Sequence, residues 1–195
     1  MSVLRRSLDM DLKNYIQIYD DVLDYNMCKN AIELFKKDEE NVIHLESPQM
    51  SSLNMTILSE EKKHPQWSII HNQLIGAIQA CGQQYAIDMK MDKLWPQENN
   101  LEQIKMHKYS AADGDRFNTH IDVGNHESAR RFAAFFMYMN DVEEGGETFF
   151  EQLDYKVTAK CGRIVMFPPM WLFPHAGLPP VSNDKYIVTT YLHYT

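Results

Sequence analysis

Two histidines and one aspartate in this chain have the residue types and spacing of a metal site. His120 and Asp122 are separated by one residue, and His175 follows later. Side chains two positions apart on a strand point to the same face, so one strand could offer two ligands to one ion. Two imidazoles and a carboxylate form the ligand set of a mononuclear non-haem Fe(II) site, which leaves positions open for oxygen and an organic acid. Lys185, on a predicted strand, could pair with that acid, so the pattern predicts oxygen activation.

Each part of this pattern is weak when it is taken alone. The histidine and aspartate content makes roughly 0.6 His-x-Asp pairs expected by chance, so the short motif carries a real risk of a false positive. A single histidine such as His175 is more often a packed or surface residue than a ligand. The interpretation as a metal site therefore depends on the surrounding sequence.

The composition favours one globular domain with a sizeable core, because the chain has 195 residues and 44% hydrophobic content. The net charge of −8 and the pI near 5.4 argue against a nucleic-acid partner, since phosphate binding needs clustered cations. Three widely separated cysteines suit reduced thiols and a cytoplasmic location. We expect no signal peptide, transmembrane span or membrane partner, because the sequence has neither an N-terminal apolar region nor a long apolar run.

Residues 1–95 predict helices that support a sheet. Asp24 or Asn26 could cap a first helix, and residues 65–89 have the apolar spacing of a second helix. The strand-like segments of this half are residues 14–21, 42–45 and 54–58.

After Pro96, short strand-like runs alternate with turns that contain Gly or Pro. This pattern is typical of a jelly roll, or double-stranded β-helix. The predicted fold is therefore mainly β, in the α+β class, with N-terminal helices supporting a jelly-roll core at residues 96–195 in a single domain. The predicted strands of the core are residues 103–109, 117–122, 132–139, 148–151, 164–167 and 186–193.

The motifs around the three candidate ligands resemble those of a known family. They are YSAADGDRFNTHID at 109–122, RFAAFFMYMNDVEEGGETFF at 131–150, CGRIVMF at 161–167 and HAGLPPVSNDKYIVTTY at 175–191. In order and spacing they resemble the prolyl 4-hydroxylase branch of the Fe(II)/2-oxoglutarate-dependent dioxygenases. The run YMNDVEEGGET is similar to the family's YLNDVEEGGET, with Met139 in place of leucine. The resemblance covers residues 101–194, and the N-terminal half resembles the family more loosely.

The resemblance implies His120, Asp122 and His175 as Fe(II) ligands and Lys185 as the partner of 2-oxoglutarate. The lysine would bind the distal carboxylate of this co-substrate, for which a compact ammonium is a suitable point charge. Neutral histidines and an ionised aspartate are the protonation states that a metal requires, so activity is expected to fall as the imidazoles protonate.

Five further residues are candidates for the same site. The hydroxyls of Thr148 and Tyr109 match family positions that bind the 2-oxoglutarate carboxylate, although one or two extra residues separate Tyr109 from the ligand motif. Thr189 lies on the same strand face as Lys185 and could line the same slot. Arg131 matches a family arginine on the peptide-substrate side. Trp171, in a proline-rich loop before the last ligand, could wall the substrate entrance.

The resemblance implies an enzyme that hydroxylates prolyl residues in a peptide or protein. It would consume O2 and 2-oxoglutarate and release succinate and CO2, and ascorbate is a further expected cofactor. Two alternatives remain open: a hydroxylase of free proline or another small amino acid, and a non-catalytic jelly-roll binding protein. Simpler interpretations also remain open for single residues, with Lys185 as a solvated charge, Thr148 as an ordinary strand residue, Tyr109 as a core aromatic and Arg130 in place of Arg131.

Overall fold

The structure is a computed structural model that describes residues 11–60 and 64–195. Residues 1–10, which bear on the expected absence of a signal peptide, lie outside the described residues. Within the described part, no helix is long and apolar enough to cross a membrane. The α-helices are α1 (Tyr25–Lys37), α2 (Met55–Glu60) and α3 (Pro65–Asp88).

The strands pair in antiparallel fashion. They are β1 (Gln17–Tyr19), β2 (Ile43–Glu46), β3 (Gln49–Asn54), β4 (Asn99–Leu101), β5 (Lys105–Tyr109), β6 (Phe117–His120), β7 (Arg131–Tyr138), β8 (Thr148–Phe150), β9 (Tyr155–Val157), β10 (Ile164–Phe167), β11 (His175–Gly177) and β12 (Lys185–Tyr194). Short 3₁₀ turns lie at Leu12–Tyr15, Glu39–Asn41, Ser128–Arg130 and Glu151–Leu153.

The strands form two sheets, as in a jelly roll. The large sheet has the order β1-β10-β7-β12-β5-β3-β2, with β4 paired to β12, and the small sheet has the order β6-β11-β8-β9. Side chains of both sheets line a common cavity of about 610 Å³. The fold is mainly β with a jelly-roll core, as the sequence predicts.

Alternation along the strands of the large sheet gives it two different faces. On β12, Tyr186 and Val188 pack into an apolar cluster that contains Leu74 and other side chains of α1 and α3. Ile187 and its neighbours on the other face pack with residues of the small sheet. The helices therefore cover the outer face, and the inner face is left to form the cavity.

Helix α1 begins where the sequence predicts, with Asp24 as its cap. The Asp24 carboxylate accepts a hydrogen bond from the backbone N–H of Met27 at 2.9 Å, which satisfies a free donor of the first turn. Cys28, Ala31 and Phe35 lie on its buried face. Helix α3 likewise matches the prediction of a helix over 65–89.

The strand predicted at residues 54–58 is wrong. Strand β3 ends at Asn54, whose side-chain oxygen accepts the backbone N–H of Ile57 at 3.2 Å, and helix α2 follows. A short apolar run fits a strand and a helix equally well, so the capping asparagine was the deciding signal.

The N-terminal half also supplies strands to the large sheet. Strand β1 pairs with β10, and β3 pairs with β5, so β1, β2 and β3 extend the sheet that carries the core. Strands β3, β4, β9 and β11 are absent from the sequence prediction. The last three have three residues each, which is too short for a periodic pattern.

Candidate metal and 2-oxoglutarate site

The three candidate metal ligands meet at one end of the cavity. His120 is the last residue of β6, and His175 is the first residue of β11, directly across from it in the antiparallel pair. Asp122 lies in the loop just beyond His120, since β6 is shorter than predicted. The donor atoms of the three side chains lie within 4.8 Å of one another.

Hydrogen bonds to the backbone set the tautomer of both histidines. His120 Nδ1 lies 2.8 Å from the carbonyl oxygen of Asn118, and His175 Nδ1 lies 3.1 Å from that of Phe173. A carbonyl oxygen only accepts, so Nδ1 carries the hydrogen in each neutral ring. The Nε2 lone pairs are therefore free to bind a metal, as in typical metal-ligating histidines.

The free Nε2 atoms face the carboxylate of Asp122. His120 Nε2 lies 3.4 Å from Asp122 Oδ1, and His175 Nε2 lies 3.6 Å from Oδ2. His175 Nε2 and Asp122 Oδ2 are buried and have no hydrogen-bond partner among the described residues. Buried acceptors that face one another without a hydrogen between them need a cation to compensate their charge. The donor set therefore fits a divalent metal ion such as Fe(II).

Burial and neighbouring charges shift the pKa values of this group. Burial alone would raise the pKa of Asp122, but the two histidine rings and the Tyr191 hydroxyl hold it below its ordinary value. Burial lowers the pKa of His175, which favours the neutral ring. Both shifts favour the protonation states that bind a metal.

Two contacts hold Asp122 from the side of the large sheet. The Tyr191 hydroxyl donates to Asp122 Oδ1 at 2.9 Å, and Arg131 Nη1 donates to the Asp122 carbonyl oxygen at 2.9 Å. The Arg131 guanidinium also forms a two-pronged ion pair with Glu102, through Nε and Nη2 at 2.8 Å each, and lies over the Tyr191 ring. Arg131 is thus already engaged with the loop that carries a candidate ligand. Its predicted role on the substrate side stays a prediction.

Lys185 lies at the other end of the cavity with its side chain 1% exposed. Its Nζ donates to the carbonyl oxygen of Gly146 at 2.9 Å and lies 4.5 Å from the centre of the Tyr109 ring. Burial lowers the pKa of Lys185 to about 7, although the charge of Glu147 opposes this effect. Among the described residues no carboxylate makes a hydrogen bond to this buried ammonium, which therefore suits an anionic ligand.

The Gly145-Gly146 turn makes the approach of Lys185 to the backbone possible. Both glycines have positive φ, +75° and +72°, a conformation that favours glycine. A Cβ on Gly145 would lie 2.4 Å from the carbonyl oxygen of Pro179. The glycine pair of the EEGGE run is therefore required by the local backbone.

The other residues predicted for the 2-oxoglutarate slot also line the cavity. Thr148 Oγ1 shares a 2.7 Å hydrogen bond with the Tyr138 hydroxyl, and Tyr109 is the strand partner of Lys185. Thr189 shares the inner face with Lys185 but is hydrogen-bonded to His107 Nε2 at 3.0 Å.

Trp171 does not line the cavity. Its side chain is 68% exposed, in the loop between β10 and β11. This loop meets the ligand loop, because the Val123 backbone N–H donates to the carbonyl oxygen of Pro169 at 3.1 Å. The indole therefore lies outside the cavity, and its role at the substrate entrance stays a prediction.

Sequence reasoning missed three residues of the site. Tyr191 has the same strand parity as Lys185, a signal that could have found it. Glu102 carries no such signal, because its contact with Arg131 depends on how the loop after β4 packs against the start of β7. His107 was given no role, yet it is buried on the cavity wall and its Nδ1 has no partner among the described residues.

The fold and the site together define a jelly-roll protein with a two-histidine, one-carboxylate cluster and a buried lysine in one cavity. Residues 104–193 match the family model described as "2OG-Fe(II) oxygenase superfamily". This segment, which contains the three candidate metal ligands and Lys185, is thus similar to that superfamily.

A known relative shows the same similarity. A curated relative, the probable prolyl 4-hydroxylase 9 of Arabidopsis thaliana, is 45% identical over a match that covers 40% of this chain and 37% of the relative. The chain thus spans little more than a third of the length of that relative. The resemblance to the prolyl 4-hydroxylase branch is confirmed.

Solved structures share the fold. A viral collagen prolyl hydroxylase from Paramecium Bursaria Chlorella virus-1, in a 2OG complex, has a TM-score of 0.68 at 22% identity and covers 93% of this chain and 97% of its own. A prolyl-4-hydroxylase of Pseudomonas putida has a TM-score of 0.66 at 16% identity, with 93% of each chain covered. A Trichoplax adhaerens prolyl hydroxylase, in complex with a hypoxia inducible factor peptide fragment, has a TM-score of 0.67 at 14% identity, covering 92% of this chain and 84% of its own.

Proposed function

We propose that this protein is an Fe(II)- and 2-oxoglutarate-dependent dioxygenase that hydroxylates prolyl residues in a peptide or protein. One observation carries the proposal: a single cavity holds three converging metal-ligand side chains at one end and a buried ammonium at the other. The match to the superfamily over residues 104–193 supports the same chemistry.

The roles of the residues follow from their positions. His120, Asp122 and His175 would hold the iron, and the backbone bonds of the two imidazoles keep their Nε2 atoms free for it. Lys185 would bind the distal carboxylate of 2-oxoglutarate, with the Thr148 hydroxyl beside it. When bound, the iron and 2-oxoglutarate supply the oxidising chemistry that turns O2 into a substrate hydroxyl, with succinate and CO2 as co-products.

The protein contributes binding, orientation and exclusion of water. Tyr109, Thr189 and apolar side chains of the inner sheet face line the slot, and Lys185 within it is almost fully buried. Charge interactions are stronger at such a buried group than in water. Ile43 and Leu45 of β2 also line the cavity, and Ile43 is 58% exposed.

Three supporting expectations belong to this proposal. The relatives named for prolyl hydroxylation support a prolyl peptide as substrate. Ascorbate would serve as the reductant of the iron. A cytoplasmic location is supported by the free thiols of Cys28, Cys81 and Cys161.

A hydroxylase of free proline is the second candidate. The observation that favours it is the engagement of Arg131 with Glu102, which occupies the guanidinium expected to contact a peptide. The two candidates differ in one measurable property, the rate on a proline flanked by peptide bonds compared with the rate on the free amino acid.

The first prediction tests the metal-dependent reaction. Purified protein with Fe(II), 2-oxoglutarate and O2 should form succinate and add one oxygen atom to prolyl peptides, as detected by mass spectrometry. Asp122→Ala should abolish both signals, because it removes a ligand, whereas the matched surface variant Asp92→Ala should behave as the wild type. Undiminished turnover in Asp122→Ala would refute the site. Hydroxylation of free proline at a rate equal to that of the peptides would favour the second candidate.

A further inference from the structure

Basic side chains outnumber acidic ones among the described residues that line the cavity. Among the described residues that line it, three side chains are basic (Lys105, Arg131 and Lys185) and one is acidic (Asp122). The chain as a whole has a net charge of −8. A local excess of cations inside an acidic protein focuses anions into that place.

Two of the three cations already have a partner or an assigned ligand. Arg131 is paired with Glu102, and Lys185 is the proposed partner of 2-oxoglutarate. Lys105 forms no ion pair or side-chain hydrogen bond with any residue in the described ranges, and its side chain is exposed at the cavity. The charge of Lys105 is therefore available to something that enters from outside.

The position of Lys105 is on the metal side of the cavity. Its strand partners are Asn54 on one side and Thr189 on the other, and Thr189 pairs with Phe136. The Phe136 ring lies 5.3 Å from the ring of His175, centre to centre. Two strand spacings, about 10 Å, thus separate the backbone of Lys105 from that of Phe136. A lysine side chain spans much of that distance, so its ammonium can reach a group bound beside the metal.

His107, two residues after Lys105 on β5, also lines the cavity and is a neutral polar group. Burial lowers the pKa of His107 to about 3, and the charges of Lys105 and Lys185 act in the same direction. Its Nδ1 is buried without a partner among the described residues. Strand β5 thus presents to the cavity the exposed ammonium of Lys105 and the unpartnered neutral Nδ1 of His107.

We propose that Lys105 binds a carboxylate of the substrate, so that the enzyme selects prolyl sequences with an acidic residue beside the target proline. This inference rests on the proposed function and adds the substrate class to it. An acidic peptide is favoured over a basic one because the only acidic side chain lining the cavity, among the described residues, is the candidate ligand Asp122.

The test compares three labelled peptides that differ at one position beside a single proline: Asp, Asn or Lys. Binding is measured by fluorescence anisotropy, and hydroxylation by mass spectrometry. The Asp peptide should bind about five- to tenfold more tightly than the Asn peptide, as expected for one charge-assisted contact. This advantage should shrink as salt is added, because the ammonium is exposed.

Variants assign the preference to one side chain. Lys105→Gln should bind the Asp and Asn peptides equally, and Lys105→Glu should prefer the Lys peptide. The matched control is Lys108→Gln, on the same strand but facing away from the cavity, where Lys108 pairs with Asp184. This control should keep the preference for Asp.

Two outcomes would overturn the inference. Equal binding of the Asp and Asn peptides by the wild type would show that the substrate needs no acid. A rise in the 2-oxoglutarate KM of Lys105→Gln, without loss of peptide preference, would show that Lys105 attracts the co-substrate instead. In both cases peptide hydroxylation itself would persist, whereas failure of the proposed function would appear as no hydroxylation of any of the three peptides.

Discussion

Burial of the Lys185 ammonium does not stabilise the folded protein, so it needs another explanation. Burial disfavours the ammonium, and its one hydrogen bond, to the Gly146 carbonyl, compensates only part of the lost hydration. The pKa of Lys185 in the folded protein, about 7, lies below the pKa of a lysine in the unfolded chain. Burying the ammonium therefore lowers the free energy of unfolding fully below pH 7. This cost disappears as the pH rises from 7 towards the pKa of the unfolded lysine. Such a cost suggests that the charge is kept for a ligand.

The pH dependence of 2-oxoglutarate binding tests this role. A bound carboxylate favours the ammonium, so binding must take up a proton once the pH exceeds about 7. We expect the dissociation constant to be flat below pH 7 and to rise by up to about tenfold per pH unit above it. Calorimetric titration of the metal-loaded protein in buffers of different ionisation enthalpy would measure both the affinity and the proton uptake.

The matched variant for this titration is Lys185→Met, which keeps the length of the side chain and removes the charge. It should bind 2-oxoglutarate roughly 100-fold more weakly at pH 7, lose the proton uptake and keep its metal affinity. Wild-type affinity in Lys185→Met would place the co-substrate elsewhere.

At the scale of single residues, residue types and spacing predict the candidate metal ligands and the buried lysine. They do not predict the residues that hydrogen-bond to the ligand loop. His120, Asp122, His175 and Lys185 all line one cavity. The engagement of Arg131 with Glu102 could not be predicted, because it arises from the packing of a loop residue against the start of a strand far along the chain. Contacts of this kind depend on three-dimensional packing, which a one-dimensional pattern does not contain.

At the scale of elements, the start of β7 and the loop after β6 act together. Arg131, the first residue of β7, holds the carbonyl oxygen of Asp122 with one nitrogen and Glu102 with two others. The carboxylate of Glu102 therefore orients the guanidinium, and the guanidinium fixes the loop that carries a candidate metal ligand. Groups that orient a ligand in this way commonly contribute 10- to 100-fold to metal affinity.

The variant Glu102→Gln tests this arrangement. It keeps the size of the side chain but removes the charge and one of the two acceptors that Arg131 uses. We expect metal affinity to fall about tenfold, measured by titration with Mn²⁺ in the absence of turnover. Glu98→Gln, on the exposed segment before β4, is the control and should bind metal as the wild type does. A change of less than about twofold in Glu102→Gln would contradict the orienting role.

Elements with a strong period or a clear cap are predictable, whereas the three-residue strands β4, β9 and β11 are not. Helices α1 and α3 and strands β5, β7, β10 and β12 fall within two or three residues of their predicted bounds. Strand β11 consists of His175–Gly177, and its extended form comes from pairing with β6 and β8. Local sequence carries little information about a strand whose stability comes from its neighbours.

For the whole molecule, metal binding and folding should be coupled. The three ligands come from β6, the loop after it and β11, so a metal would connect two strands of the small sheet. A ligand that binds the native state alone stabilises it by about 2.7 kcal/mol at 100 times its dissociation constant. For a chain of this size, that corresponds to a rise in Tm of roughly 5–10 °C.

Thermal denaturation with and without Mn²⁺ measures this effect independently of catalysis. The wild type should show the rise, and a chelator should reverse it. Asp122→Ala should show none, while Asp92→Ala should respond as the wild type. An equal rise in all three proteins would indicate that the ion binds elsewhere.

The sequence predicts the fold class of the whole molecule but not which strands make up each sheet. Short strands separated by turns that contain Gly or Pro indicate a jelly roll, and the structure has that fold. The contribution of β1, β2 and β3 to the large sheet could not be predicted, since pairing partners lie far apart in the chain and several registers satisfy the same alternation. The division of the chain at residue 96 stays a prediction.

The two faces of the large sheet divide the positions of a strand into two groups, odd-numbered and even-numbered, whose mutations have different effects. On β12, the odd-numbered positions 185, 187, 189 and 191 line the cavity, while 186, 188 and 192 pack against the helices. Natural drift at odd positions can therefore alter ligand preference while the helix-side core stays intact, and drift at even positions can be compensated within that core. Randomising Lys105 and His107 of β5, which also line the cavity, would therefore test ligand preference while the helix-side core keeps its residues.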